Sequence, residues 1–330
     1  MTISNYPPSA DYRFSAKDCA PYAQALTDVL KQFELAGLRV PNAARLSTAA
    51  RLLTKVSRSG HFPAAKEELR RVANAMGDAS DFFDIAEILP TLQANNILAQ
   101  LQQALKGTLD DERHRQTPYR FQTQFWLGAV LTRGGYTPRV PDTEGSHPDF
   151  IVEEGLSQYG VEVKRPENAE SALQLLAEGA AQLRAYRVKG LIIFDLSECV
   201  GTEALSYVPI GGEIEARDGM LARFKVTYSA LRARVLDAKN NRLRDGFENV
   251  LGLIGIARGW SWISDSPPGL ALFGTGGGTM LFSPVRNVTY YHSKHLVAKT
   301  IRGLRRLGYG FEEFEDVAIP FDPLPFHWQL

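Results

Sequence analysis

The sequence predicts an α/β protein with a helical N-terminal part, and three features point there. Between residues 17 and 110 nearly every segment is rich in Ala, Leu, Gln, Lys and Arg, interrupted by Gly or Pro. Beyond about residue 116, helical and strand-like segments alternate, the grammar of a layered α/β architecture. Within that region "GLIIFDLS", residues 190–197, is an almost continuous apolar run, as a strand covered on both faces requires.

Residues 1–16 are polar, contain Pro7 and Pro8, and read as a flexible tail. Tyr22, Leu26, Val29, Leu30 and Phe33 then share one helical face, and Gly37 supplies a stop. Further helical segments follow in "NAARLSTAARLLTKVSRSG", "PAAKEELRRVANAM", "SDFFDIAEIL" and "TLQANNILAQLQQALKG", separated by Gly60, Pro63, Gly77, Pro90 and Gly107. Residues 17–115 are therefore expected to form an α-helical domain, ending in the polar linker "GTLDDERHRQTPYR". The remainder, 116–330, is expected to form the α/β domain. It opens with a helix in "FQTQFWLGAVLTRGG", then short strands, a helix over 168–186, and "GLIIFDLS". A basic amphipathic helix (216–239), a strand in "NVLGLIGIA", a Gly-rich turn region and a last helix (293–307) complete it.

Composition narrows the function classes. Basic and acidic residues number 37 each, so no bulk positive charge announces nucleic-acid binding and any such surface must be local. Cys19 and Cys199 are too far apart in sequence for a metal motif and too few for a disulfide framework, which suits a reducing cytoplasm. The first thirty residues lack the basic start and apolar core of a signal peptide. The weakly charged stretch 259–285 is broken by Pro267, Pro268, Gly274 and Gly276 to Gly278, so no membrane span is expected there.

Chemistry concentrates in "HPDFIVEEGLSQYGVEVKRP", residues 147–166. "PDFIVEE" and "YGVEVKR" read as two strands of a hairpin joined around Gly155 to Gln158. Strand alternation puts Glu162 and Lys164 on one face and Tyr159, Val161 and Val163 on the other. Phosphodiester hydrolysis needs a divalent cation, hard oxygen ligands for it, and a group that orients the attacking water. Asp149 and Glu162 offer the oxygens and Lys164 the charged donor. The same residues also suit the solvated polar positions of an ordinary amphipathic hairpin.

This stretch resembles the PD-(D/E)xK nuclease superfamily, with its restriction-endonuclease-like fold, over at least residues 120–198. The family order of helix, strand, hairpin bearing Pro-Asp and Glu-x-Lys, crossover helix and apolar strand is present, with its acids at 149 and 162. The resemblance implies a mixed central sheet flanked by helices. It implies that Asp149 and Glu162 ligate Mg²⁺ or Mn²⁺, that the Val163 carbonyl adds a ligand, and that Lys164 positions water or steadies the transition state. On the crossover helix, Leu175, Gly179, Gln182 and Tyr186 form one stripe. Gln182-x-x-x-Tyr186 is similar to the Gln-x-x-x-Tyr motif of the helicase-associated exonuclease branch, which implies that both side chains lie beside the metal and the nucleic acid. Where the family often carries a Glu on the preceding helix, this chain has Gln124, with Gln122 close by. A neutral amide holds a hard cation less well than a carboxylate. The expectation is a one-metal deoxyribonuclease, an endonuclease, acting on DNA in restriction or defence. Its alternative is a nuclease-fold protein with weak or lost activity that binds nucleic acid or a partner.

Arg223, Lys225, Arg232, Arg234, Lys239, Arg242 and Arg244, with Tyr228 among them, offer phosphate contacts, as do Lys294, Lys299, Arg302, Arg305 and Arg306 on the last helix. The helical domain adds Arg45, Arg51, Lys55, Arg58, Lys66, Arg70 and Arg71, a surface for DNA, a partner protein or a homodimer. Asp78, Asp81, Asp84 and Glu87 read as a solvated helix face. "GTGGGTM", 274–280, lacks the Lys-Ser/Thr of a phosphate loop and reads as a loop between strands. His292 and His295 share a helix face without evident partners, and His147 reads as a loop residue. No Ser or Cys has an activating sequence around it.

Overall fold

The structure, a computed structural model, describes residues 12–42, 44–110, 117–141, 146–200, 206–208, 212–240, 247–263, 269–281, 288–307, 310–311 and 317–318. It begins with a short strand, β1 (Tyr12–Phe14), inside the expected tail, and Phe14 is buried. The helical region comprises α1 (Cys19–Leu35), α2 (Arg45–Ser59), α3 (Lys66–Glu87), α4 (Leu89–Ala94) and α5 (Leu98–Ala104). Two expected boundaries moved. Gly77 does not divide α3, because it sits buried in the middle of the helix where tertiary packing outweighs a single glycine's propensity cost. The segment expected as one helix from Thr91 is instead split into α4 and α5 at Asn95 and Asn96, with Asn96 at φ +55°, a left-handed conformation that asparagine tolerates.

Helix α6 (Thr117–Gly134) leads into the hairpin of β2 (Phe150–Glu154) and β3 (Ser157–Lys164). Its turn is only Gly155-Leu156, tighter than expected, and Gly155 takes φ +62° at the first central position. Crossover helix α7 (Ala169–Ala185) then returns the chain to β4 (Lys189–Asp195). After β5 (Ser206–Val208) come α8 (Gly212–Asn240), the long strands β6 (Val250–Ile263) and β7 (Gly269–Leu281), α9 (Val288–Arg306) and two short strands, β8 (Gly310–Phe311) and β9 (Val317–Ala318). The glycine-rich run 274–280 is thus part of β7, paired with β6, and not a loop: Gly276 and Gly277 lie opposite Ile256 and Gly255. On the partner strand β6 a glycine is required at position 255, since a Cβ there would strike the Tyr228 ring at 2.6 Å.

The sheet is mixed and runs β1-β7-β6-β4-β3-β2, with β5 also on β6 and β8 and β9 also on β7. Strands β3, β4 and β6 are mutually parallel, whereas β2 runs antiparallel to β3, and β7 runs antiparallel to β6 and β1 but parallel to β8 and β9. One face of β2 and β3 presents Phe150, Val152, Tyr159 and Val161 to a core shared with α1, α2, α3 and α6. A second core, built by Leu176, Ala180 and Leu183 of α7 and Phe224, Tyr228 and Leu231 of α8, covers Ile192 and Phe194 on the other face. The helices of 17–115 therefore pack directly on the sheet, and β1 pairs with β7.

Helix α9 crosses α6 at a glycine contact. A Cβ on Gly134 would lie 2.5 Å from the Lys299 carbonyl oxygen, and one on Gly303 would collide with the Val130 carbonyl. Because both obstacles are backbone, neither can rotate away. Gly303→Ala should therefore lower unfolding free energy by about 3 kcal/mol, measured by urea denaturation, whereas Gly60→Asn, at φ +70° with open space around it, should cost far less.

Candidate active site

Each member of the predicted constellation is placed by a regular element. Continuing the antiparallel register one residue past Phe150↔Val161 sets Asp149 opposite Glu162. Glu162 and Lys164 alternate with Val161 and Val163, so they leave the apolar core of the first face and point under α7. Glu162 is 1 % exposed. Its two oxygens receive different donors: Asp149 N–H donates to Oε2 at 2.8 Å, and the Lys164 ammonium lies 2.5 Å from Oε1. In return Val163 N–H donates to Asp149 Oδ2 at 2.8 Å. The Val163 carbonyl leaves the strand on the same side as its N–H, toward Asp149.

Helix α7 completes the cluster. Its start is fixed by Asn168, whose side chain accepts from Glu170 N–H and Ser171 N–H. Gln182, nearly four turns on, accepts from Lys164 Nζ at 2.7 Å and donates from Nε2 to the His147 carbonyl at 3.1 Å. Gly179 lets α7 sit close on β4, since a Cβ there would lie 2.9 Å from Ile192 Cδ1, and the Lys164 stem passes the same spot, with Cε 3.5 Å from that position. Asp149, Glu162, Val163, Lys164 and Gln182 are thus joined in one hydrogen-bonded group. Tyr186 is one turn beyond Gln182 at the C-cap of α7, half-buried, and its side chain forms no hydrogen bond to the group. Gln122, two residues before Gln124 on α6, is buried in a different network: it accepts from Arg45 at 2.7 Å and donates to Asp81 at 2.7 Å.

Electrostatically the cluster holds two acids and one base. Burial first, and then the Glu162 charge, push the Asp149 carboxyl well above the ordinary carboxylate range, against the Val163 N–H and Lys164. Burial also raises Glu162, even though Lys164 and the Asp149 N–H pull the other way. One ammonium therefore leaves the pair short of positive charge, a deficit that a divalent cation would correct. Among the described residues no group of three or more His, Cys, Asp or Glu side chains could hold a metal ion. The fit rests on two carboxylates and a backbone carbonyl, a sparse donor set that suits Mg²⁺, which retains water and binds substrate phosphate.

Sequence reasoning missed a second charged network at the carboxyl end of the parallel strands. Arg165, directly after Lys164, faces Asp195 at the end of β4, Nε to Oδ2 3.7 Å. Ser197 donates to Asp195 through its hydroxyl at 2.5 Å, and Arg258 N–H donates to Ser197 Oγ. Burial alone would raise Asp195, but Arg165, Ser197 and Arg258 outweigh it and hold its carboxyl low. Arg258 also grips both oxygens of Asp81 on α3. Three of the four acids expected on a solvated face of α3 are accordingly buried, Asp78, Asp81 and Asp84 being 1 %, 3 % and 6 % exposed, and only Glu87 is exposed. Their spacing matched the buried side of the helix, and Arg45, itself buried, pairs with Asp78 at 3.3 Å. Burial and the adjacent Asp81 charge drive Asp84 well above its usual value.

The basic series meets mixed outcomes. On α8, Arg234 is exposed and Arg232 half-buried, while Tyr228 is a core residue stacked on Phe224 at 5.9 Å. The Lys239 side chain and residues Arg242 and Arg244 lie outside what the structure describes. On α9, Lys299 and His295 are not unpartnered surface residues, because Glu154 at the end of β2 accepts from both at 2.7 Å and from Tyr136 at 2.9 Å. Burial opposes ionisation of Glu154, but these three donors hold its pKa at about 2. Its contribution to stability is complete above the unfolded value near 4.5 and disappears as pH falls toward 2. Glu154→Gln should therefore cost about 2 kcal/mol at neutral pH, with the difference from the native chain closing between pH 4.5 and 2 in acid denaturation monitored by circular dichroism.

Comparison of the chain with protein-family models, with curated proteins and with solved structures returned no match. Among the described residues no helix is long and apolar enough to cross a membrane.

Proposed function

We propose that this chain is a metal-dependent nuclease that hydrolyses DNA phosphodiester bonds on a restriction-endonuclease-like core. The observation that carries the reading is the convergence of Asp149, Glu162, Lys164 and Gln182, from three separate elements, into one part-buried hydrogen-bonded group around a fully buried Glu162. An ordinary solvated hairpin would leave Glu162 and Lys164 in water, whereas here their side chains are 2 % and 14 % exposed. The β2–β3 hairpin, the α7 crossover and the parallel partner β4 also follow the order that the family uses, although the strand expected between α6 and the hairpin is, among the described residues, only a single bridge of Arg139 with Ile151.

In this reading Asp149, Glu162 and the Val163 carbonyl would hold Mg²⁺ or Mn²⁺, which when bound would supply Lewis acidity. Lys164 presents its ammonium to the water or the phosphate as negative charge builds at phosphorus. Gln182 holds that ammonium in place, and Tyr186 lines the same helix stripe nearer the nucleic acid. The water hydroxyl bonds to phosphorus as the bond to the leaving sugar oxygen breaks, and the water's remaining proton ends on that oxygen. Arg232 and Arg234 offer phosphate contacts on α8, with Lys239, Arg242 and Arg244 continuing the basic series in sequence. A homodimer would supply the second cut of a duplex.

The test is incubation of supercoiled plasmid, linear duplex and single-stranded DNA with purified protein in Mg²⁺, in Mn²⁺ and in EDTA. Cutting in metal and none in EDTA is the expected result. A folded protein that binds DNA but cuts nothing under any condition would support the binding-module alternative.

A further inference from the structure

We propose that Lys164 is a built-in cation that competes with a divalent metal for Glu162, and that Gln182 is the positioning residue that sets this competition by giving Lys164 a second acceptor. The inference rests on the metal-nuclease reading of the same site and adds how metal loading is controlled.

Both oxygens of Glu162 are engaged. Oε2 accepts the Asp149 N–H at 2.8 Å, an interaction between paired strands, and Oε1 lies 2.5 Å from Lys164 Nζ. Asp149 Oδ2 is likewise taken by Val163 N–H. A divalent ion shared by these carboxylates must therefore contend with one mobile group, the ammonium, because the other two donors are fixed backbone. With Glu162 only 2 % exposed, an ammonium and a metal on one carboxylate repel each other with little solvent screening. Lys164 must yield when the metal binds.

Gln182 determines how easily it yields. Its Oε1 already accepts from Lys164 at 2.7 Å, so the ammonium can leave Glu162 without losing every hydrogen bond. The amide cannot turn freely, since its Nε2 donates to the His147 carbonyl at 3.1 Å, two residues from Asp149. The lysine stem, passing Gly179, keeps Nζ within reach of both acceptors. Without Gln182 the ammonium has Glu162 as its sole acceptor in this group, and the metal must displace it at greater cost.

The experiment is Mn²⁺ binding in the absence of DNA, by titration calorimetry and by loss of the free-ion paramagnetic resonance signal, with folding checked by circular dichroism. Gln182→Met is expected to weaken Mn²⁺ binding about tenfold, the scale of one hydrogen bond to a charged group. Lys164→Met is expected to bind Mn²⁺ at least as tightly as the native chain. Adding Gln182→Met to Lys164→Met should then change nothing, because the competitor is gone. If Lys164→Met does not fold, Lys164→Gln serves the same comparison. A purely structural Gln182 would weaken binding equally in both backgrounds, and that result, or an unchanged affinity in Gln182→Met, overturns the inference while leaving the metal site intact. Absence of Mn²⁺ binding by the native chain overturns the metal-nuclease reading as well, so the two failures are distinct.

Discussion

Lys164→Met is expected to reduce metal-dependent DNA cleavage about 10³-fold while retaining bound Mn²⁺. The reduction follows from position: the ammonium lies between a carboxylate and an amide in a nearly closed site, 14 % exposed, where a fixed charge meets little competition from water. Asp149→Asn should lose cleavage to a similar degree for another reason, since a neutral amide is a poorer ligand for Mg²⁺ and metal affinity should fall with activity. Single-turnover cleavage of plasmid under saturating Mg²⁺, run beside the Mn²⁺ titration, separates these effects. Lys164→Met cutting at the native rate would remove the hairpin from consideration as the catalytic element.

Arg45→Met is expected to produce the largest loss of stability, about 3–5 kcal/mol, because it leaves a buried acid without its charge partner. Arg45 is fully enclosed, packed over the Tyr119 ring at 3.9 Å and donating to the Ala104 carbonyl and to Gln122. Its partner Asp78 is 1 % exposed. Gln122 also holds Asp81, which in turn receives the Arg258 fork from β6, so the network links α2, α3 and α6 to the sheet. Such a loss is a large share of the 5–15 kcal/mol that is typical of folded proteins. The double variant Arg45→Met with Asp78→Leu should recover most of it, since replacing both charges by apolar groups removes the uncompensated acid. Urea denaturation of the native, single and double variants measures this directly. A single variant as stable as the native chain would show that the network contributes little.

Much of the proposed site was legible because it is local. Glu162 and Lys164 are two apart on one strand, so alternation alone puts them on one face. Asp149 lies across a hairpin whose register is fixed by a two-residue turn at Gly155. Gln182 was singled out by the resemblance of Gln182-x-x-x-Tyr186 to a known helix motif and not by spacing alone, and the structure adds its acceptor role toward Lys164. The acids of α3 show the opposite case. Their spacing every three residues is the same whether that face meets water or protein, and the residues that pair with them, the cations Arg45 and Arg258 and the amide donor Gln122, are up to 177 positions away. The glycine-rich run also depended on distant partners: in isolation it suggests a loop, and only pairing with β6 makes it a strand.

The sequence by itself determined which elements form and which side chains share a face: the helices of 17–110, the hairpin bearing Asp149, Glu162 and Lys164, and the crossover between β3 and β4. Those features depend on contacts a few residues apart, where periodicity and turn chemistry decide the outcome. Tertiary structure alone decided that the helical part shares a core with the sheet, that Lys164 bridges Glu162 and Gln182, and that three aspartates of α3 are buried among arginines. Burial depends on which surface of another element covers a residue, and a charge is tolerated inside only where a distant opposite charge arrives to meet it.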